Sequence, residues 1–514
     1  MDFQKTKFLK ATVLMFIWVI AGGAMGAAYQ GFTLFGPNNG RYTYLINMNN
    51  AVVHQWYHSR SGGYSAYLLE NGDVVRTAMA SNPSLNGGGA QGVIQRYSWS
   101  GTLVWEYTYS GATYLAHHDI EPMPNGNFLL IAWEVKTAAQ ARQAGFSRNA
   151  SMWPDHIIEV QPSGTNGGTI VWQWHVWDHL IQDYDPTKDN YGVVADHPEL
   201  LDINVAGGGI GGDWMHINSI SYNPDLDQIA ITSHTFDEIY VIDHSTTTAE
   251  AAGHTGGNSG RGGDFLYRWG KPSNYDAPGS QYFNVVHCAW WIPSGLPGAG
   301  HLMAFNNREG QGTSQIVELN TPVDSLGHYA YTPGTAFAPT APFWSYTASG
   351  FYSNHLGGCQ RLPNHNTLIV ESTSGYIFEV DSVGAVQWSY ARGGEIARAL
   401  RYGVDYPGVA ALGIDESDIG LPDAMELYPN YPNPFNSSTT INFEMKTAED
   451  ISLDIYNILG EHVTNLVSGN LSAGSHNVIW NSTNSKGETV NSGIYFCVLR
   501  GKQHEKTRKL ILLK

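Results

Sequence analysis

Short stretches of alternating apolar and polar residues recur along most of the chain, and many carry two aromatic residues separated by one position. The pairs are Trp105 and Tyr107, Trp172 and Trp174, Tyr267 and Trp269, Trp344 and Tyr346, and Trp388 and Tyr390, with Trp56-Tyr57 as a degenerate copy. A period of two is that of a strand with one buried face. A second pattern accompanies most copies: a short strand, a turn, then an apolar strand. It reads YLLENGDVV (67–75), HHDIEPMPNGNFLLIA (117–132), HINSISYNPDLDQIAITS (216–233), HCAWWIPSGLPGAGHLMAF (287–305) and RLPNHNTLIVES (361–372). The Asn-Gly and Pro-Asn turns supply the positive φ that tight hairpins require. Runs such as IIEVQ (157–161), IYVID (239–243) and IFEVD (377–381) add one more strand before the next aromatic pair.

About three to four strands per unit, in six units, predict an all-β fold: a six-bladed β-propeller over residues 29–408. An array of β-sandwiches is the runner-up, and the recurrent aromatic pairs favour blades. The longest insertion spans 175–213, and ring closure is expected to pair YTYLIN (42–47) and VVHQW (52–56) with late strands. A linker rich in Gly, Asp and Pro is read over 409–425. Beyond it aromatics thin out while Asn, Ser and Thr rise. The strand runs LDIYNILG (453–460), NVIWN (477–481) and GIYFCVL (493–499) predict a small immunoglobulin-like β-sandwich over 426–514.

Composition narrows the class. Charged residues are 14% of the 514, low for a soluble domain, whereas 16 Trp and 29 Tyr can bury a large core, so neither a disordered chain nor a coiled coil fits. The net charge of −18 argues against nucleic acid or an anionic membrane as partner. Residues 1–28 read as a signal peptide: Lys5, Lys7 and Lys10, then the apolar run 11–21, then small residues through Ala28. That run is too short to span a bilayer comfortably, so the mature chain is expected to be secreted or at the cell surface, without a transmembrane helix. Cys288, Cys359 and Cys497 are too few for a disulfide scaffold. Cys288 and Cys359 fall near equivalent points of the repeat, which leaves a bridge open, and two buried thiols are the default expectation.

Aligning the repeats on their turns exposes one chemical position, seven residues before the turn. It holds His118, His216 and His287 in three copies, Tyr64 in the first, and Gly357 in the last, where His355 stands two residues earlier. Imidazoles at one slot of several blades should converge near the axis. There they could serve as acids, bases, nucleophiles or metal ligands, or simply cap strands through hydrogen bonds. A metal-dependent hydrolase at the axis is one reading of such a set. Arg308 and Arg361 lie where they could hold an anion in forked geometry, while a surface salt bridge is the stronger expectation for Arg398 and Arg401. Asp183, Asp185 and Asp189 lack the Gly and terminal Glu of an EF-hand, and no nucleophile elbow, phosphate-cradling glycine loop or zinc-protease helix is found.

The segments HHDIEPMPNGN (117–127), WDHLIQDYDPTKDNYGVVADHPELLDIN (177–204), DWMHINSISYNPDLDQIAITS (213–233), FNNREGQG (305–312) and GGCQRLPNHNTLIVESTSG (357–375) resemble the bacterial arylsulfotransferase family over about 41–408. That resemblance implies a six-bladed propeller that moves a sulfuryl group from an aryl sulfate to a phenol through a sulfated histidine, without the nucleotide sulfate donor and without a cofactor. It implies catalytic roles for His216 as proton carrier, His287 or His355 as nucleophile, and Arg308 as sulfate binder. His118, Asn218, Asn307 and Arg361 are the expected substrate contacts, and no metal is expected. The family's sulfated histidine falls at Gly357 by slot, with His355 nearest, and its Arg falls at Gln311, three residues after Arg308. A non-catalytic surface propeller binding glycans or aromatic ligands is the alternative. YPNPFNSSTTI, YNILGEHV, LSAGSHNVIWN, SGIYFCVL and the final TRKLILLK resemble the C-terminal sorting modules of type IX secretion, which implies that machinery as a partner.

Overall fold

A computed structural model describes residues 27–205, 208, 212–414, 425–445, 448–501 and 505–514. Most of the expected signal peptide and the central part of the expected linker lie outside the described residues. The chain is all-β, with few short helices and many antiparallel sheets. It divides into two compact units, the first reaching Ile414. The short helix Pro407–Ala410 buries Val409 completely within it.

Four sheets of the first unit follow one plan, each antiparallel with its strands in chain order. The first runs Tyr114–Pro122, Phe128–Glu134, Asp155–Ser163 and Gly167–His175. The next runs Ile217–Asn223, Gln228–Ser233, Glu238–Asp243 and Tyr267–Trp269. Val286–Trp291, Leu302–Asn306, Gln315–Leu319 and Trp344–Tyr346 form the third, and Gly358–Arg361, Thr367–Glu371, Tyr376–Val380 and Val386–Ala391 the fourth. The predicted turns join the first two strands of each sheet. The second and third strands are nearly all buried, as expected of strands covered on both faces.

Besides the two-stranded parallel pair Leu180–Ile181 and Leu201–Asp202, a further sheet has seven strands, in the order Ala399–Tyr402, Phe32–Phe35, Gly40–Ile46, Val52–Leu68, Val74–Met79, Gly92–Tyr97, Leu103–Thr108. Here the expected closure is corrected. The late strand pairs not with 42–47 or 52–56 but with Phe32–Phe35, in the register Phe35↔Ala399. FTLF is buried at every position, so it has no alternation to announce it. The 17-residue strand Val52–Leu68 pairs with Gly40–Ile46 through its first half and with Val74–Met79 through its second.

The recurrent aromatics occupy the last strand of these units and latch one group of strands to the next. A buried indole needs an acceptor for its single N–H, at a net gain of about 1 kcal/mol when it finds one. Trp56 Nε1 donates to the Ser98 carbonyl at 3.0 Å, Trp105 to Gly167 at 2.8 Å, Trp174 to Gly263 at 2.7 Å, Trp269 to Pro339 at 2.7 Å and Trp344 to Ser382 at 3.3 Å. Beneath each latch the sheets share an apolar core, such as Val75, Ile94, Trp105, Phe128 and Ile158.

The second unit is a three-stranded sheet (Met425–Leu427, Thr439–Met445, Gly474–Trp480) and a four-stranded sheet (His462–Leu471, Glu449–Asn457, Gly493–Arg500, Glu505–Leu512). Phe435, Ile441, Phe443, Leu453, Ile455, Trp480 and Leu499 form its core. Among the described residues no helix is long and apolar enough to cross a membrane.

Candidate active site

The histidine slot lies on or beside the first strand of each sheet, where the pairing slips. The register shifts between Ala116 and Ile120, between Ile217 and Ser219, and between His287 and Trp290. His118 and His216 take φ values of 49° and 55°, and Cys288, next to His287, takes 58°. Bulged residues in the left-handed region re-aim their side chains, and such backbone is costly for residues other than glycine. These bulges turn the rings into one cavity of about 380 Å³.

Five histidines line that cavity: His118, His216, His234, His287 and His355. The rings of His118 and His216 are 4.6 Å apart, those of His216 and His234 4.8 Å, and those of His234 and His287 5.6 Å. Gly87, Gly88 and Gly89 also line it. A Cβ at Gly89 would lie 2.2 Å from His118 Nε2, and one at Gly88 would lie 3.2 Å from His216 Cε1.

One ring of the cavity is set apart by a carboxylate partner. His216 Nδ1 lies 2.5 Å from Asp213 Oδ2, and Asp213 Oδ1 accepts the Trp133 indole N–H at 2.9 Å. Burial alone would lower the pKa of His216, but the hydrogen bond and charge of Asp213 prevail and raise it. Three of the other rings are shifted the opposite way. Burial, followed by repulsion from His216, pulls His118 well down and His234 to about 4. Burial and the neighbouring His234 do the same to His287. Behind His118 stands His117, the two Nδ1 atoms 2.8 Å apart. His117 Nε2 lies 2.8 Å from Asp155 Oδ1 but out of hydrogen-bond alignment. Burial, then the Asp213 charge, raises the Asp155 pKa well above the usual carboxylate range.

The expected residues separate into three groups. His118, His216, His287 and His355 come together. Asn307 and Asn218 act as supports: Asn307 accepts from His287 Nδ1 at 2.7 Å and donates to the Ser353 and Leu356 carbonyls, while Asn218 donates to the Val286 carbonyl at 2.8 Å. His287 Nε2 accepts the Leu356 N–H at 3.3 Å, so both of its nitrogens are engaged. The arginines stand apart from the cavity walls. Arg308 donates to Gln311 Oε1 at 2.9 Å and to Thr313. Arg361 pairs with Glu318, donates to the His365 carbonyl and lies over the Trp344 ring. Arg398 and Arg401 form ion pairs as expected, but buried ones: Arg398 lies 2.8 Å from Asp119 Oδ2, and Arg401 pairs with Glu379 against the Trp388 ring. Cys288 and Cys359 are buried free thiols with their sulfurs 3.9 Å apart.

At the last slot, a Cβ on Gly357 would lie 2.4 Å from the Phe305 ring, and φ there is +139°. A histidine cannot enter. His355 reaches the cavity from two residues earlier, its Nε2 3.1 Å from Glu395 Oε1 and its Nδ1 2.8 Å from Asn354 Oδ1. Sequence reasoning missed His234, Asp213 and the glycine run. His234 was accessible in principle, because the hairpin around 223–228 pairs Ile217 with Ser233 and so sets residue 234 opposite 216. Among the described residues its ring has no hydrogen-bond partner.

An all-β chain of antiparallel sheets with a histidine-lined cavity is therefore the class in hand. The chain belongs to the arylsulfotransferase family, whose profile, described as Arylsulfotransferase (ASST), matches residues 56–397. A second profile, a secretion system C-terminal sorting domain, matches 430–513 and marks an exported protein, secreted or at the cell surface, handled by type IX secretion. No curated protein matches the chain. Among solved structures, a protein of unknown function from Bacteroides caccae matches at TM-score 0.40 and 10% identity over 72% of this chain and 98% of that one. Virginiamycin B lyase from Staphylococcus aureus matches at 0.33 and 10% over 89% and 93%. PorZ of Porphyromonas gingivalis, a surface component of the type IX secretion system, matches at 0.24 and 12% over 96% of this chain and 53% of PorZ. At these TM-scores the likenesses bear on neither mechanism nor substrate.

Proposed function

We propose that the protein is an exported aryl-sulfate sulfotransferase acting through a sulfohistidine in the five-histidine cavity. The observation that carries this is the pairing of an imidazole whose pKa is raised, His216 on Asp213, with imidazoles whose pKa values are lowered, within ring-contact distance. A neutral ring nitrogen attacks sulfur, the N–S bond forms, and the S–O bond to the phenol breaks. His216 gives its proton to the leaving phenolate. An acceptor phenol then returns a proton to His216 and its oxygen attacks sulfur, releasing the imidazole. The positive charge of His216 stabilises the sulfuryl oxygens as the bonds exchange.

The nucleophile is a ring with a nitrogen to offer. That favours His234 over His287, whose two nitrogens hold the Asn307–Leu356 wall together, while His355, nearest to the family position, must first release Glu395 or Asn354 to free a nitrogen. The ring architecture goes with this reading: six four-stranded blades, with Val52–Leu68 shared between two of them and Ala399–Tyr402 closing the circle, followed by a sandwich-like sorting module. Export begins at the leader 1–28, ahead of a catalytic domain over 29–408.

The test is incubation of the purified protein with 4-nitrophenyl sulfate, with and without phenol. Phenol-dependent nitrophenolate release with phenyl sulfate formed is the expected result, and peptide mapping of the sulfated histidine then separates His355 from His234. Arg308 turned to Gln311, and Gly357 closed by Phe305, favour a second reading, a binding protein for aryl sulfates or glycans. No release under either condition, with ligand binding retained, would establish that one instead.

A further inference from the structure

A separate cluster lies where the insertion after strand Gly167–His175 meets the loop between Glu238–Asp243 and Tyr267–Trp269. His179, His254 and Asp264 each offer a ligand atom there, all within 4.8 Å of one another. His179 Nδ1 and His254 Nδ1 both lie 2.8 Å from the same oxygen, Asp264 Oδ1. His179 is fully buried, and its Nε2 faces the Ala251 carbonyl at 2.8 Å. A carbonyl only accepts, so Nε2 carries the proton of the neutral ring. Nδ1 then presents its lone pair to a carboxylate oxygen. Two lone pairs facing each other at that distance require a cation between them, either a second proton or a metal. An imidazole that donates its far N–H to a backbone carbonyl while aiming the near lone pair at a carboxylate has the arrangement of a metal-ligating histidine. The loop is shaped for it: a Cβ at Gly263 would lie 2.1 Å from the Ala251 oxygen and 2.6 Å from His179 Nε2.

We propose that His179, His254 and Asp264 bind a borderline divalent cation of the zinc type, pinning the long insertion to the neighbouring sheet. Two imidazoles and one carboxylate are a donor set that zinc accepts, with a fourth position for water on the side where His254 is exposed. Metal–donor bonds of ~2.0–2.2 Å ask each N···O separation to open by about half an ångström toward a tetrahedral edge; the exposed His254 supplies its own opening, and the buried His179–Asp264 pair has to part as the metal enters.

The test loads the full-length protein with Zn²⁺, desalts it and measures retained metal, alongside thermal unfolding with and without EDTA. About one zinc per chain and a melting temperature several degrees higher, reversed by EDTA, are expected. His254→Ala, at an exposed ring, should lose both effects while matching the wild-type melting curve in EDTA. Asp264→Asn should also lose the metal. His216→Ala should keep it, which separates this site from the histidine cavity. No retained zinc, equal retention in His254→Ala, or loss in His216→Ala would overturn the proposal, the first leaving a second proton between His179 and Asp264.

Discussion

Asp213 Oδ2 lies 2.5 Å from His216 Nδ1, three residues along the chain, and this contact raises the pKa of that imidazole against its burial. Its removal is the most direct probe of the site. His216→Ala should lower kcat/KM for aryl sulfate transfer by at least ~100-fold, the range of lost general acid–base catalysis. Asp213→Asn keeps the ring but withdraws the group that raises its pKa. The alkaline limb of the pH–rate profile should therefore move to lower pH. An unmoved limb would mean that His216 is not the titrating acid.

The glycine run over the cavity should be intolerant of the smallest side chain. At Gly89, φ is +75° and a Cβ meets His118 Nε2 at 2.2 Å. Gly89→Ala should displace either the loop or the His118 ring and cut turnover at least ~10-fold, with a smaller effect from Gly88→Ala, where the nearest contact is 3.2 Å. Equal activity in both variants would show that the roof is not held against the histidines.

Restoring a histidine to the last slot should harm rather than help. Gly357→His puts a side chain into the Phe305 ring from a positive-φ position, at a cost of about 2–3 kcal/mol in overpacking and strain. A lower melting temperature without gain of activity is expected. A Gly357→His protein as stable as wild type would contradict the packing.

Away from the cavity, His244 bridges Asp227 at 2.7 Å and Glu159 at 3.1 Å. Burial opposes its charge, but the two carboxylates prevail and raise its pKa to about 9. A raised histidine pKa contributes stability that is complete below the unfolded value of ~6.5 and is lost as pH rises through the folded value. Between pH 6.5 and about 9 the protein should lose ~2–3 kcal/mol of unfolding free energy from this group. His244→Gln should flatten urea-unfolding midpoints across that window.

The strands were legible wherever one face meets water, because alternation then appears in the residues themselves. YLLENGDVV and RLPNHNTLIVES became hairpins where expected. Phe32–Phe35 was not legible, since a strand buried on both faces carries no alternation, and the closure was therefore read one strand too late. The histidine slot at 118, 216 and 287 was likewise readable from turn spacing alone. The arginines were not. Nothing in the spacing of Arg398 tells that Asp119, 279 positions earlier, waits beside it in the core.

Local sequence determined that this chain is built of hairpins, that aromatics recur at the end of each unit, and that imidazoles share one slot. These follow from turn chemistry and side-chain period, which act within a few residues. Only the tertiary structure decided what the imidazoles are. The pKa of His216 is raised because Asp213 reaches it, His287 is braced because Asn307 and Leu356 close on both its nitrogens, and His234 joins them across a hairpin. Protonation and hydrogen bonding depend on burial and on partners brought together through space, and neither is written in the spacing of residues along the chain.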